Sequence, residues 1–254
     1  MSRLKGKVAF ITGATGGIGS TTARLLLSEK AKVFVTDVDK KAVDALVSEL
    51  GRGAAGAVCD VTDESSVASA MERCVGEFGS INVVHANAGI EGRFGPMVEQ
   101  TLEDFERVIA VNLRGVFLTL KHGGRLLLAG DGGSMIATSS VAGLVGSPGL
   151  SPYVASKHGV VGLMRAAALE LGPQGVRVNS VHPGPVDNRM MRSIEQMASP
   201  DSPATVKTGF EKMVPLGRYA LNEDIANMVM FLASDESAYC NGSRFVVDGG
   251  FVAG

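Results

Sequence analysis

A chain of 254 residues, 45% of them hydrophobic and 20% charged, with a formal net charge of −2, has the composition of a soluble globular protein with ample material for a buried core. That charge excludes the electrostatic footprint of a nucleic-acid partner, and no apolar run approaches the roughly 18 to 20 residues needed to cross a bilayer. Cys59, Cys74 and Cys240 are odd in number and lack CxxC spacing, which argues against a disulfide framework and a zinc site and fits a reducing cytoplasm.

The chain opens with Arg3, Lys5 and Lys7 ahead of a short apolar stretch that breaks at once into Gly13, Gly16, Gly17 and Gly19. It reads as a first strand over 7–12, not as a signal peptide. The turn that follows, Thr12-Gly13-Ala14-Thr15-Gly16-Gly17-Ile18-Gly19, leads straight into a helical pattern over 17–29. Glycines let the backbone approach a ligand closely, and a helix N-terminus offers unpaired N–H groups to a pyrophosphate. Between a strand and a helix, this is a dinucleotide cradle. A second strand, 32–36, ends beside Asp37, about 20 residues after the turn, where a carboxylate accepts from ribose hydroxyls and repels a 2′-phosphate. NAD is therefore expected over NADP. Lys40 and Lys41, at the start of a helix over 39–50, read as solvated charges on its face.

Further along, strands are predicted over 56–59, 81–86, 134–138, 177–182 and 244–247, with helices over 67–78 and 222–233 between them. Thr101 and Asp104 form a capping pattern ahead of Phe105, Val108, Ile109 and Val111, which starts a long helix. Ser151 as N-cap and Pro152 as first helical residue place Tyr153 and Lys157 in the first turns of a helix running to Leu171. The stretch 183–215 holds several prolines, Met190, Met191, Met197 and Met213, and no clear strand; it reads as a substrate loop at about 185–215, or a lid. The alternation predicts the α/β class: residues 1–254 as a single doubly wound Rossmann-type domain, with a seven-stranded parallel sheet and helices on both faces, made dinucleotide-binding by its glycine turn. The apolar, glycine-rich end, 245–254, suggests burial in a subunit contact.

In the type and order of its motifs the chain resembles the short-chain dehydrogenase/reductase family across essentially its whole length. The glycine turn has that family's TGxxxGxG form, with Thr12, Gly13, Gly17 and Gly19 in the marked places. Asp60-Val61, Asn87-Ala88-Gly89, the mid-helix Asn112, Ser140 placed 13 residues before Tyr153, the Tyr153-Val154-Ala155-Ser156-Lys157 match to YxxxK, and Pro183-Gly184 follow in the family's order. Two positions depart from it: Ala86 precedes Asn87 where the family often has a second asparagine, and Asn188 stands where a threonine commonly meets the nicotinamide carboxamide. Asparagine still donates and accepts hydrogen bonds. The resemblance implies a catalytic set of Asn112, Ser140, Tyr153 and Lys157. It also implies NAD (NADH) contacts from Gly13, Thr15, Gly17, Ile18, Gly19, Asp37, Asp60, Val61, Asn87, Ala88, Gly89, Tyr153, Lys157, Pro183, Gly184, Val186 and Asn188. A homotetramer is expected on the same ground.

Oxidising an alcohol removes a hydride and a proton; the cofactor takes the hydride and the protein must manage the proton. A phenol titrates near pH 10, so work near neutrality asks for a lowering of roughly 2 to 3 units. Lys157, four residues after Tyr153 and on the same helix face, is expected to supply much of that lowering. The Ser140 hydroxyl can hold the substrate oxygen, and the resemblance gives Asn112 a water linking Lys157 to solvent. The expected reaction interconverts a secondary alcohol and a ketone, with Tyr153 as general acid/base. Ser140, Val141, Phe94, Met190 and Met191 are the candidate contacts to an apolar substrate body, since methionine suits an adaptable pocket. The alternatives are a non-catalytic NAD-binding regulatory protein and an NAD-using epimerase or dehydratase. His85, His122, His158 and His182 share no spacing that would build a metal site and read as structural or surface residues. Glu91 and Asp187, as lone acids near the cleft, read as solvated.

Overall fold

The computed structural model describes residues 2–254. Its seven strands, β1 (Val8–Thr12), β2 (Lys32–Asp37), β3 (Ala54–Val58), β4 (Val83–Ala86), β5 (Gly133–Thr138), β6 (Val176–Pro183) and β7 (Arg244–Val247), form one parallel sheet in the order β3-β2-β1-β4-β5-β6-β7. The predicted strands are all present, with ends shifted by two residues or fewer. Parallel strands covered on both faces must be apolar almost throughout, and every residue of β1 and β4 is buried. Side chains alternate across the sheet. Val8 and Phe10 therefore join a core with α3 (Glu64–Phe78), α5 (Gly115–Ala129) and α6 (Ser151–Leu171), while Ala9 and Ile11 join one with α1 (Gly17–Ser28), α2 (Lys40–Leu50) and α9 (Asn222–Ala233).

The helix ends show why the chain folds locally as it does. Asp39 caps α2 by accepting from Lys41 N and Ala42 N, and Thr101 caps α4 (Leu102–Ile109) by accepting from Asp104 N at 3.1 Å. Helix α4 continues into α5 through a wider turn over Ala110–Arg114 that carries Asn112, the kind of local unwinding that helices often place at functional sites. Ser151 differs from its expected role as N-cap. It is the first helical residue, Leu150 holds the cap position, and no side chain caps the helix there.

The stretch predicted as a loop is also different. Residues 183–215 fold into α7 (Arg189–Ala198) and α8 (Pro203–Met213), which together make a helical flap. Asn188 caps α7 by accepting from Met190 N and Met191 N, and Pro203 opens α8. The end 248–252 packs within its own chain: Asp248 accepts from Gly250 N and Val252 N at 2.8 and 2.9 Å, and the rings of Phe251 and Phe210 lie 6.5 Å apart. No helix among the described residues is long and apolar enough to cross a membrane.

Candidate active site

The strand order reverses between β1 and β4, and the carboxyl ends of such a switch point form a crevice where open α/β sheets take their ligands. A cavity of about 1020 Å³ opens there. Every residue predicted to contact cofactor or substrate lines it. Asn112 is the one predicted site residue that stands behind the wall, fully buried.

At the cradle end, Gly13 has φ +60°, and a Cβ there would come within 2.7 Å of Ala88 Cα, so the backbone of the two crevice walls touches without room for a side chain. Thr12 Oγ1 accepts from both Asn87 N (3.0 Å) and Ala88 N (3.1 Å), and Asn87 Nδ2 donates to the carbonyls of Thr12 (3.2 Å) and Gly13 (3.1 Å). The N-terminus of α1 has no side-chain cap and no acidic residue in its first turn, and Gly16, Gly17 and Ile18 face the cavity. That donor set fits a dinucleotide diphosphate. Asp37 accepts from Thr15 N at 3.2 Å and from Thr15 Oγ1 at 2.5 Å, which holds its carboxylate at the cavity edge. Lys40 pairs with Asp44 at 2.6 Å along its own helix. The basic side chains on the cavity wall are Lys157 and Arg189.

At the other end stand Ser140, Tyr153 and Lys157, with exposures of 9%, 9% and 2%. Ser140 follows β5, and its Oγ accepts from Ala142 N at 3.1 Å on the same cavity wall as the Tyr153 phenol. His182, on the neighbouring β6, reaches Ser140 O through Nδ1 at 2.8 Å; burial holds this imidazole near a pKa of about 4, hence neutral. Lys157 Nζ donates to Thr138 O at 2.9 Å and lies 5.5 Å from the centre of the Tyr153 ring. Asn112 accepts from Ile90 N (2.8 Å) and donates to Ile90 O (2.9 Å) and Ser156 Oγ (3.1 Å), which commits its carboxamide to holding the loop after β4.

The expected depression of the phenol pKa is not what this environment produces. Burial pushes Tyr153 up to about 12, the nearby Ser140 hydroxyl works against that, and the charge of Glu91 adds to it. Burial also lowers Lys157 to about 8, which still leaves it mostly charged at neutral pH. Glu91, read as solvated, is 7% exposed and takes both arms of the Arg189 guanidinium at 3.2 and 3.3 Å. A separation of 98 positions along the chain leaves no sequence signal for the pair.

Around Tyr153 lies an apolar chamber. Ala142, Leu150 and Ile194 are buried against it, with Phe94, Met190 and Met191 packed on them. Val206, Phe210 and Met213 of α8, with Phe251 and Val252 of the chain end, extend the wall; sequence reasoning places only Met213 near the substrate, missing Val206 and Phe210 because it does not recognise α8, and Phe251 and Val252 because it assigns 245–254 to a subunit contact. His85 and His182 are fully buried, His122 pairs with Glu64, and His158 bonds Val154 O in its own helix.

Against known proteins, a family model described as enoyl-(acyl carrier protein) reductase matches residues 13–252. Cyclohexanol dehydrogenase of Acinetobacter sp. (strain SE19) is 37% identical over 99% of this chain and 97% of its own length. The crystal structure of levodione reductase superposes with a TM-score of 0.96 at 34% identity, covering 99% of each chain. That of NAD+-bound xylitol dehydrogenase gives 0.92 at 32% identity, covering 98% of this chain and 100% of the other.

Proposed function

The chain belongs to the short-chain dehydrogenase/reductase family, and we propose that within it the protein is an NAD(H)-dependent oxidoreductase interconverting an apolar, cyclic secondary alcohol and its ketone. The observation that carries this reading is the meeting of Ser140, Tyr153 and Lys157 on one wall of a cavity whose far end is the uncapped α1 N-terminus. The name and similarity of cyclohexanol dehydrogenase support a ring-bearing substrate, and so does the apolar chamber over Tyr153.

In this reading the nicotinamide cofactor, when bound, accepts or supplies the hydride. Residues of the glycine turn, with Asp37, Asp60, Val61 and the 87–89 segment, hold the nucleotide, and Pro183, Gly184, Val186 and Asn188 hold its reactive end. The Ser140 hydroxyl positions the substrate oxygen beside the Tyr153 phenol, which takes or returns the proton. Lys157, anchored on Thr138 O, places its ammonium next to that phenol and favours its ionised form. Asn112 acts by keeping the Ile90 loop in place. Residues 1–254 serve as one cofactor-binding and catalytic domain. A homotetramer is supported by Leu102, Phe105 and Phe117, apolar side chains left exposed on α4 and α5. Three unpaired cysteines support a cytoplasmic location.

An absorbance assay at roughly 340 nm against cyclic and open-chain secondary alcohols, charged hydroxy acids and both nicotinamide cofactors tests the proposal. NAD-linked turnover that favours apolar cyclic alcohols is expected; better turnover of charged hydroxy acids would sink it. Cofactor choice has its own test in Asp37→Ser. Losing charged hydrogen bonds to ribose hydroxyls lowers kcat/KM with NAD by about 10- to 100-fold, while turnover with NADP rises as the repulsion of a 2′-phosphate is removed. An unchanged NAD to NADP ratio would remove Asp37 from this role.

A further inference from the structure

The flap carries a cluster that the proposed chemistry does not use. Tyr219, in the segment returning from α8 to α9, is 3% exposed. Over its ring lie the Arg192 guanidinium and the Lys207 ammonium, 5.6 and 5.4 Å from the centroid. Two cations so placed would repel each other, but Asp187 accepts from Arg192 and, at 3.1 Å, from Lys207. Arg192 also donates to Glu195, a carboxylate only 3% exposed, at 2.6 Å. One ring thus gathers the 183–188 turn, both flap helices and the return segment. Backbone bonds fasten the return to the same turn: Asp187 N donates to Ala220 O at 2.8 Å and Ala220 N to Pro185 O at 2.9 Å.

This cluster reaches the chamber through aromatic contacts. Tyr219 meets the Phe210 ring edge-on at 6.4 Å between centroids, and Phe210 meets Phe251 at 6.5 Å. Phe210 and Phe251 both face the cavity.

We propose that Tyr219, clasped by Arg192, Lys207 and Asp187, is a specificity-determining positioning residue that fixes Phe210 and Phe251 as a preformed chamber wall and so favours bulky apolar ring alcohols over small open-chain ones. The inference rests on the oxidoreductase reading above for its substrates. Its physical basis is that two cations, 40% and 31% exposed at their side chains, grip the face of a buried ring by cation–π attraction, and that a wall already in place gives a rigid ring its contact area without first having to be ordered. A small open-chain alcohol has less apolar surface to lay against that wall and gains less from it.

The test compares wild type, Tyr219→Leu, Tyr219→Phe and Asp187→Asn in oxidation of cyclohexanol and 2-propanol with NAD, alongside limited trypsin digestion of the flap at Arg192 and Lys207. Tyr219→Leu is expected to raise KM for cyclohexanol by about tenfold, with kcat/KM for 2-propanol and the Kd for NAD held within about twofold. Tyr219→Phe keeps the ring and should keep the wild-type ratio; Asp187→Asn should move the same way as Tyr219→Leu by a smaller factor. Trypsin should cut the flap of Tyr219→Leu several-fold faster. The proposal is overturned by an unchanged substrate ratio in Tyr219→Leu, by an equal loss on both alcohols and on NAD binding, or by Tyr219→Phe falling as far as Tyr219→Leu. If Tyr219→Leu does not fold, an unchanged ratio in Asp187→Asn overturns it instead. If the wild type oxidises neither alcohol, the oxidoreductase reading fails for these substrates, and equal trypsin cleavage of wild type and variants would then overturn the clasp on its own.

Discussion

Tyr153→Phe is expected to lower kcat for alcohol oxidation by about 10²- to 10⁴-fold, the usual worth of a positioned proton-transfer group, while the Kd for NAD stays within about twofold. The phenyl ring keeps the packing against Leu150, Ile194 and Phe94, so the loss falls on kcat and not on folding. Binding measured by fluorescence titration and turnover measured by absorbance separate the two, and a variant retaining most of its activity would refute the acid/base assignment. The high phenol pKa gives this expectation a direction with pH. With Tyr153 held up near 12 by burial, the protonated form dominates at neutral pH. Ketone reduction, which needs the phenol, should hold its rate through neutrality; oxidation, which needs the phenolate, should climb as pH rises. A pH profile of kcat/KM in each direction checks both slopes.

Lys157→Met should abolish most turnover as well, yet leave the protein at least as stable as wild type at pH 7. The lysine is 2% exposed and its pKa falls from 10.5 to about 8 on folding, a difference that makes its charged form destabilising by about 3 kcal/mol. Methionine loses the hydrogen bond to Thr138 O, worth about 1 kcal/mol, and relieves the greater cost of burying the charge. The sign with pH follows from linkage. Below about 8 the wild-type lysine is charged in both folded and unfolded chains, and the penalty is fully present. Between about 8 and 10.5 the folded protein sheds its proton first, so the stability gap between variant and wild type should narrow. Thermal melts at pH 7 and pH 9 measure it, and a variant that melts well below wild type at pH 7 would show that the charge is not held at this cost.

Much of the architecture is legible in the chain because strands buried on both faces have little choice of residue: β1 and β4 are apolar apart from Thr12 and His85. The cradle is legible for a related reason. Positions where two backbones touch, as Gly13 and Ala88 do, admit only small residues, and those stand out. The flap is harder to read, although its helices carry ordinary signals, with Asn188 as cap, Met190, Met191 and Ile194 spaced along one face, and Pro203 at a first helical turn. Prolines at 185, 200, 203 and 215 look like breaks in the bare sequence, whereas two of them flank helices and one starts a helix. The electrostatics of Tyr153 are not legible at all. Its burial comes from Phe94, Leu150, Ile194, Met190 and Met191, and the charge acting on it comes from Glu91; most of these are brought near only by the completed fold. Spacing along a helix shows that Lys157 lies near Tyr153, but the sign of the net shift depends on the water excluded by residues tens of positions away.

The bond from Thr15 to Asp37 bears on how a nucleotide would be received. With Thr15 N and Thr15 Oγ1 both donating to one carboxylate oxygen and Val38 N donating to the other at 2.8 Å, the acid is held in a single orientation by the folded chain itself. Freezing such a side chain at the moment of binding would cost about 0.5 to 1.5 kcal/mol; here that ordering is completed during folding. A rigid reader also cannot swing aside for a larger group. Discrimination at the ribose would then come from a shape and charge set in advance, and Thr15 contributes to it only through the carboxylate it holds.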